Sequence, residues 1–200
     1  MFKLICVTNR RLCTDNFLQR VELLVQSGAD GMILREKDLN EIEYEALAKQ
    51  VLGISSPYQV PCVLHNFPNS ARRLGVKSIH LPLPILRTLS CKERADFTEI
   101  GTSCHSLKDA KEAQKLGCSY FTMGHIFPTD CKKGLPPRGL DRLEEICSAV
   151  PLPVYAIGGI KPENIDRVQA AGASGACIMS GLMRCSDPSS YIAAYKEKLS

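Results

Sequence analysis

Short apolar runs alternate along the whole chain with segments in which apolar residues return every third or fourth position. The runs predict β-strands at Leu4 to Asn9, Gly31 to Arg35, Cys62 to Asn66, Ser78 to Pro82, Glu99 to Cys104, Tyr120 to Phe127, Val154 to Gly159 and Gly175 to Ser180. The segments between them predict amphipathic helices. Phe17, Val21, Leu24 and Val25 fall on one helical face, as do Leu107, Ala110, Ala113 and Leu116. Gly28, Gly75, Gly117 and Gly172 each stand just before a strand, where a left-handed residue closes a helix. Helix starts are legible at Ser106 with Asp109, and at Lys161-Pro162-Glu163 with proline in the first turn.

Strict alternation of strand and helix is compatible with an open doubly wound sheet or a closed barrel. Eight units favour the second, so the expected fold is an α/β (β/α)8 TIM barrel, a single domain over residues 1–200. The segments SGADGMIL, LGVKSIHL, LGCSYFTM and AGASGACIM each end a helix on glycine and enter a strand after a short turn, as a reused unit would. A chain of 200 residues is at the compact end for this architecture, so its loops must be short. Pro128 to Arg138, after the sixth strand, is long enough to act as a lid.

Charge and cysteine placement narrow the partners. The 25 Lys and Arg against 21 Asp and Glu give a net charge of +4, and no window interleaves basic with aromatic residues. Small anions are therefore expected as ligands, and nucleic acid is not. The apolar stretch at Phe2 to Val7 is too short for a signal peptide and no run approaches a membrane span, so the expected location is cytoplasmic, with no membrane partner. Ten cysteines occur without a C-x-x-C pair, and Cys6, Cys62, Cys104 and Cys177 sit inside apolar runs. They read as free thiols packed as small hydrophobes. Cys131, beside Lys132 and Lys133, is the exception, because nearby cations lower a thiol pKa.

Candidate chemistry gathers at the predicted carboxyl ends of the strands, where barrels of this type place their active sites. His125 ends an apolar run and is followed by Lys132 and Lys133, a pattern that suits proton transfer on an anionic substrate. The same pattern also describes a satisfied histidine at a strand end beside a solvated lysine pair. Gly158 and Gly159 end strand seven, and Met179, Ser180 and Gly181 end strand eight, so their N–H groups could close on a phosphate. A helical turn beyond Gly181 would add positive dipole. Arg35 and Lys37 share one side of an extended chain, with Glu36 opposite. His65-Asn66 and Ser103-Cys104-His105 complete the ring, while His80, between Ile79 and Leu81, reads as a packed core histidine and His105 as part of a helix start.

The runs LREK, TSCHS, GHIFPTDCKKG, AIGGI and GACIMSG resemble the thiamine phosphate synthase superfamily in order over essentially the entire chain, with GHIFPTDCKKG closest to its TenI-like branch. That resemblance implies a thiazole tautomerase of thiamin biosynthesis, an isomerase without metal or organic cofactor, acting on a carboxylated dihydrothiazole phosphate with His125 as proton carrier. It places Ser103 at the substrate, Thr129 and Lys132 on the lid, and Cys131 where synthases carry a hydroxyl; Arg35 and Lys37 would meet the substrate carboxylate. Synthases carry a glutamine where Ile33 stands, Asn-Asp where His65-Asn66 stands, and an aspartate at Ile85. The last two differences remove the carboxylates expected to hold magnesium, which argues against synthase activity. Two alternatives stay open: a thiamine phosphate synthase, which would call for magnesium, and an idle barrel that binds thiazole or thiamine phosphate as a regulator. A homodimer is left open.

Overall fold

The computed structural model describes residues 1–199. Eight parallel strands, β1 (Lys3–Val7), β2 (Gly31–Leu34), β3 (Cys62–His65), β4 (Ser78–Pro82), β5 (Glu99–Cys104), β6 (Tyr120–Gly124), β7 (Val154–Ile157) and β8 (Gly175–Ile178), close in sequential order into a barrel. The helices α1 (Phe17–Gln26), α2 (Glu41–Ser55), α3 (Pro68–Arg73), α4 (Leu83–Thr88), α5 (Cys91–Arg94), α6 (Leu107–Lys115), α7 (Gly139–Ala149), α8 (Ile165–Ala170), α9 (Ser180–Arg184) and α10 (Pro188–Glu197) connect and cover the strands. The expected (β/α)8 architecture is the one observed.

Period-two alternation divides each strand between two cores. Ile5, Val7, Ile33, Val63, Tyr155, Ile157 and Cys177 pack together inside the barrel. Leu4, Cys6, Met32, Leu34, Leu64, Ile79, Leu81, Phe121, Met123, Ala156 and Ile178 pack outward against the helices in a larger cluster. Gly101 shows how tightly the interior is filled: a Cβ there would lie 2.0 Å from the Tyr120 ring. Burial holds the Cys62 and Cys177 thiols up at about 12, so these cysteines are inert packing groups.

Gly28, Gly75, Gly117 and Gly172 all adopt positive φ at their helix ends, as expected. Ser106 caps α6 by accepting from the Asp109 N–H at 3.1 Å. The expected strands at β4 and β5 have the observed bounds, whereas β1, β2, β3, β6, β7 and β8 each end earlier than their apolar runs. At the ends of β2 and β3 the chain leaves the ladder: the Tyr44 hydroxyl of α2 donates to the Leu34 carbonyl and accepts from the His65 N–H, both at 2.7 Å, and Asn66 turns at φ 74°. No helix among the described residues is long and apolar enough to cross a membrane.

Candidate active site

The mouth at the carboxyl ends of the strands is organised around Arg35. Its backbone N–H donates to Thr8 Oγ1 at 2.9 Å, and that hydroxyl donates in turn to Glu36 Oε1 at 2.7 Å. Glu36 is buried, and it also accepts from the Arg10 backbone N–H at 3.0 Å and from the Arg10 guanidinium at 3.2 Å. Arg10 and Arg11 pair as well with Asp38, whose carboxyl the Arg10 hydrogen bonds hold down at about 2. The acidic side chain between the two cations is thus spent on the β1 loop, while Arg35 is half-buried and Lys37 stands exposed in the turn that follows.

Arg35 points across the mouth, with its guanidinium 4.0 Å from Met179 Sδ after β8. Burial lowers its pKa, partly offset by Glu36. The Lys37 ammonium is also lowered, first by burial and then by repulsion from Arg35 and Lys132. Among the described residues none of these three cations forms an ion pair. Arg35 and Lys37 come from the end of β2 and Lys132 from the loop after β6, so two segments bring like charges near one another.

Below them lies a neutral polar layer. His80 Nε2 is 3.0 Å from Ser103 Oγ and Nδ1 is 3.2 Å from Tyr120 Oη, while Thr122 donates to Ser103 at 3.1 Å. His65 stacks on His80 with ring centroids 5.8 Å apart. Burial holds both imidazoles neutral, His80 at about 3 and His65 at about 2, with the latter pushed further by His80 and Arg35. His80 is therefore the packed histidine expected, and the predicted substrate residue Ser103 is tied into its network. His105 Nδ1 is 3.0 Å from the Gly124 carbonyl at the start of α6.

His125 is buried beneath the lid, its Nε2 3.2 Å from the Leu135 carbonyl. The lid is pinned at its base by Arg138 N–H donating to the His125 carbonyl at 2.8 Å and Gly139 N–H to Ile126 at 3.2 Å. Thr129 shapes the loop from within, accepting from the Cys131 N–H at 3.4 Å. Cys131 and Lys132 are exposed, and both act electrostatically on the cations of the β2 end.

Gly158 and Gly159 have positive φ, and each meets the lid base: a Cβ would lie 2.3 Å from His125 Cβ at the first and 2.5 Å from the Pro128 carbonyl at the second. Glycine is required there by close backbone packing as well as by any ligand. The N–H groups of Gly158, Gly159, Ser180 and Gly181 have no acceptor among the described residues. These residues are half-buried, and α9 has only five residues and so adds little dipole. Two shallow outer grooves, one along α6 and one between α2 and α3, are lined by other residues.

Residues 4–182 match the thiamine monophosphate synthase family. The chain belongs to that family. It is 34% identical over 203 residues to thiamine-phosphate synthase 2 of Streptococcus pneumoniae serotype 4, covering 98% of this chain and 95% of that one. The thiamine-phosphate synthase of Enterococcus faecalis is 32% identical, covering 90% of this chain and 86% of its own. Among solved structures, a thiamine phosphate pyrophosphorylase from Pyrococcus furiosus superposes with a TM-score of 0.85 at 28% identity, over 99% of this chain and 95% of that one.

These relatives overturn the tautomerase reading and the metal-free isomerase class expected with it. The similarity to synthases extends over nearly the whole chain, whereas the tautomerase reading leans on one lid motif and two missing aspartates. The role given to His125 as proton carrier belonged to that reaction and goes with it; the imidazole is bonded to the lid. Magnesium, which synthases of this family are expected to use, is poorly served by the residues present. Ile85 packs against the outer core, Asn66 is neutral, and both Glu36 oxygens are engaged. Among the described residues no group of three or more His, Cys, Asp or Glu side chains could hold a metal.

Proposed function

We propose that this chain is a thiamine-phosphate synthase, joining a thiazole phosphate to a hydroxymethylpyrimidine diphosphate. In that reaction the thiazole ring nitrogen forms a bond to the pyrimidine methylene carbon, the carbon–oxygen bond breaks, and pyrophosphate leaves with the electron pair. The observation that carries the reading is the unbalanced cationic mouth of Arg35, Lys37 and Lys132 facing a rim of free N–H groups. Two anions need two sites. The N–H rim at Gly158, Gly159, Met179, Ser180 and Gly181 suits the single phosphate of the thiazole. The cations suit the diphosphate, where negative charge grows as the bond breaks. Thr129 holds the turn that carries Lys132, and Ser103, Thr129 and Cys131 are assigned to the substrate as part of this reading.

The test is direct. Purified protein is incubated with the thiazole phosphate and the pyrimidine diphosphate, with and without magnesium, and thiamine phosphate is followed by chromatography alongside pyrophosphate release. The two products should appear in equal amounts. Absence of thiamine phosphate under both conditions rejects the reading.

A further inference from the structure

Building on the synthase reading, we propose that the barrel mouth takes diphosphate as a metal-free anion held directly by Arg35, Lys37 and Lys132, with Glu36 as a buried positioning residue. The donor set is the first ground. A magnesium ion needs several hard anionic oxygens in a near-octahedral shell, and the carboxylate nearest the mouth, Glu36, already accepts from Thr8 Oγ1, the Arg10 N–H and the Arg10 guanidinium. It has no oxygen to offer. The second ground is the state of the cations. Arg35, Lys37 and Lys132 come from the β2 end and the lid, none forms an ion pair among the described residues, and Lys37 is within electrostatic reach of the other two.

Glu36 explains how this imbalance is maintained. A carboxylate between two cations in sequence would ordinarily neutralise them, but the Thr8 and Arg10 bonds turn it away and bury it. The same Thr8 hydroxyl fixes the Arg35 backbone, so one contact both engages the Glu36 carboxylate away from the guanidinium and sets Arg35 across the mouth beside Met179. A guanidinium fork and two ammonium groups match the oxygens of a diphosphate by charge-assisted hydrogen bonds. A diphosphate already carrying magnesium would present less negative charge to the same three cations, so the metal should compete with the protein for the ligand.

Calorimetric titration of the full chain with inorganic pyrophosphate, in EDTA and in excess magnesium, tests this. Binding is expected in EDTA and should weaken roughly several-fold with magnesium, as the ligand loses charge. Arg35→Gln and Lys132→Gln should each lower affinity in EDTA by about ten-fold or more, while Lys111→Gln on α6 leaves it unchanged. Lys132 is exposed on the lid, so its loss does not threaten folding. Binding that requires magnesium or is tightened by it overturns the proposal, as does equal affinity in all three variants. The coupling assay separates the two claims. Magnesium-dependent thiamine phosphate formation without pyrophosphate binding in EDTA removes the metal-free cradle alone; pyrophosphate binding in EDTA without any coupling removes the synthase reading alone.

Discussion

Inside the barrel His80 is flanked by Tyr120, Ser103 and Thr122, and burial keeps its ring neutral. At the mouth above, Arg35, Lys37 and Lys132 have no ion-pair partners among the described residues. Both regions are polar, and both sit among apolar strand ends. The inner layer has its polar groups satisfied; no buried side-chain nitrogen or oxygen among the described residues lacks a partner. Such a network specifies and stiffens a core. The mouth holds cations whose mutual repulsion only a ligand relieves. Partnered polar groups thus hold structure here, and the unpartnered cations are left at the mouth, where the proposed diphosphate would enter.

Changes that empty the mouth should break this division most sharply. Arg35→Gln should reduce coupling by about a hundred-fold, the scale of losing one preorganised donor to developing charge, while the melting temperature stays at the wild-type value. A large fall in melting temperature would instead make Arg35 part of the structural layer. Thr8 is buried and fully partnered yet fixes the Arg35 backbone, so Thr8→Val should cost about 1–3 kcal/mol of stability by leaving a buried carboxylate short of a donor, and should also raise KM. Denaturant titrations paired with steady-state kinetics check it; a change in stability with unaltered KM would detach Thr8 from Arg35.

The inner layer makes its own prediction with pH. His80 is held at about 3 against an ordinary 6.5, so between those values the unfolded chain binds more protons than the folded one. Stability from this site is fully present above about 6.5 and declines as pH falls towards about 3, and His80→Asn should flatten that slope. Unfolding free energies measured from pH 4 to 7 decide the matter, and an unchanged slope in the variant assigns the acid sensitivity elsewhere. The smallest effect is expected at the rim: Ser180→Ala keeps its N–H and should alter thiazole phosphate affinity by less than about two-fold. A larger loss in calorimetry would show that the hydroxyl is the working group.

Much of the scaffold was written in local pattern. Glycines at 28, 75, 117 and 172 mark helix ends, and apolar runs mark strands. Contacts between distant segments were not legible. Nothing in the order of residues joins Thr8 to Glu36, and nothing local reveals that Gly158 and Gly159 make room for the lid base. The apolar runs of β2 and β3 extend past the strand ends because they do not record where Tyr44 takes over the ladder's hydrogen bonds. One lid motif and two missing aspartates point to a tautomerase, whereas relatives named as synthases match almost the full chain.

The last strand registers with the first, Lys3 against Gly175, and Gly175 lets the Lys3 carbonyl approach where a Cβ would stand 2.3 Å from it. This pairing joins the most distant positions of the ladder in sequence, and loop-closure entropy makes it the slowest contact to gather. Until it forms, β1 and β8 are open strand edges able to pair with another chain. Once it forms, the sheet has no edge left. The seam is thus where a folding chain is most exposed to aggregation, and a side chain larger than hydrogen at residue 175 would prolong that exposure.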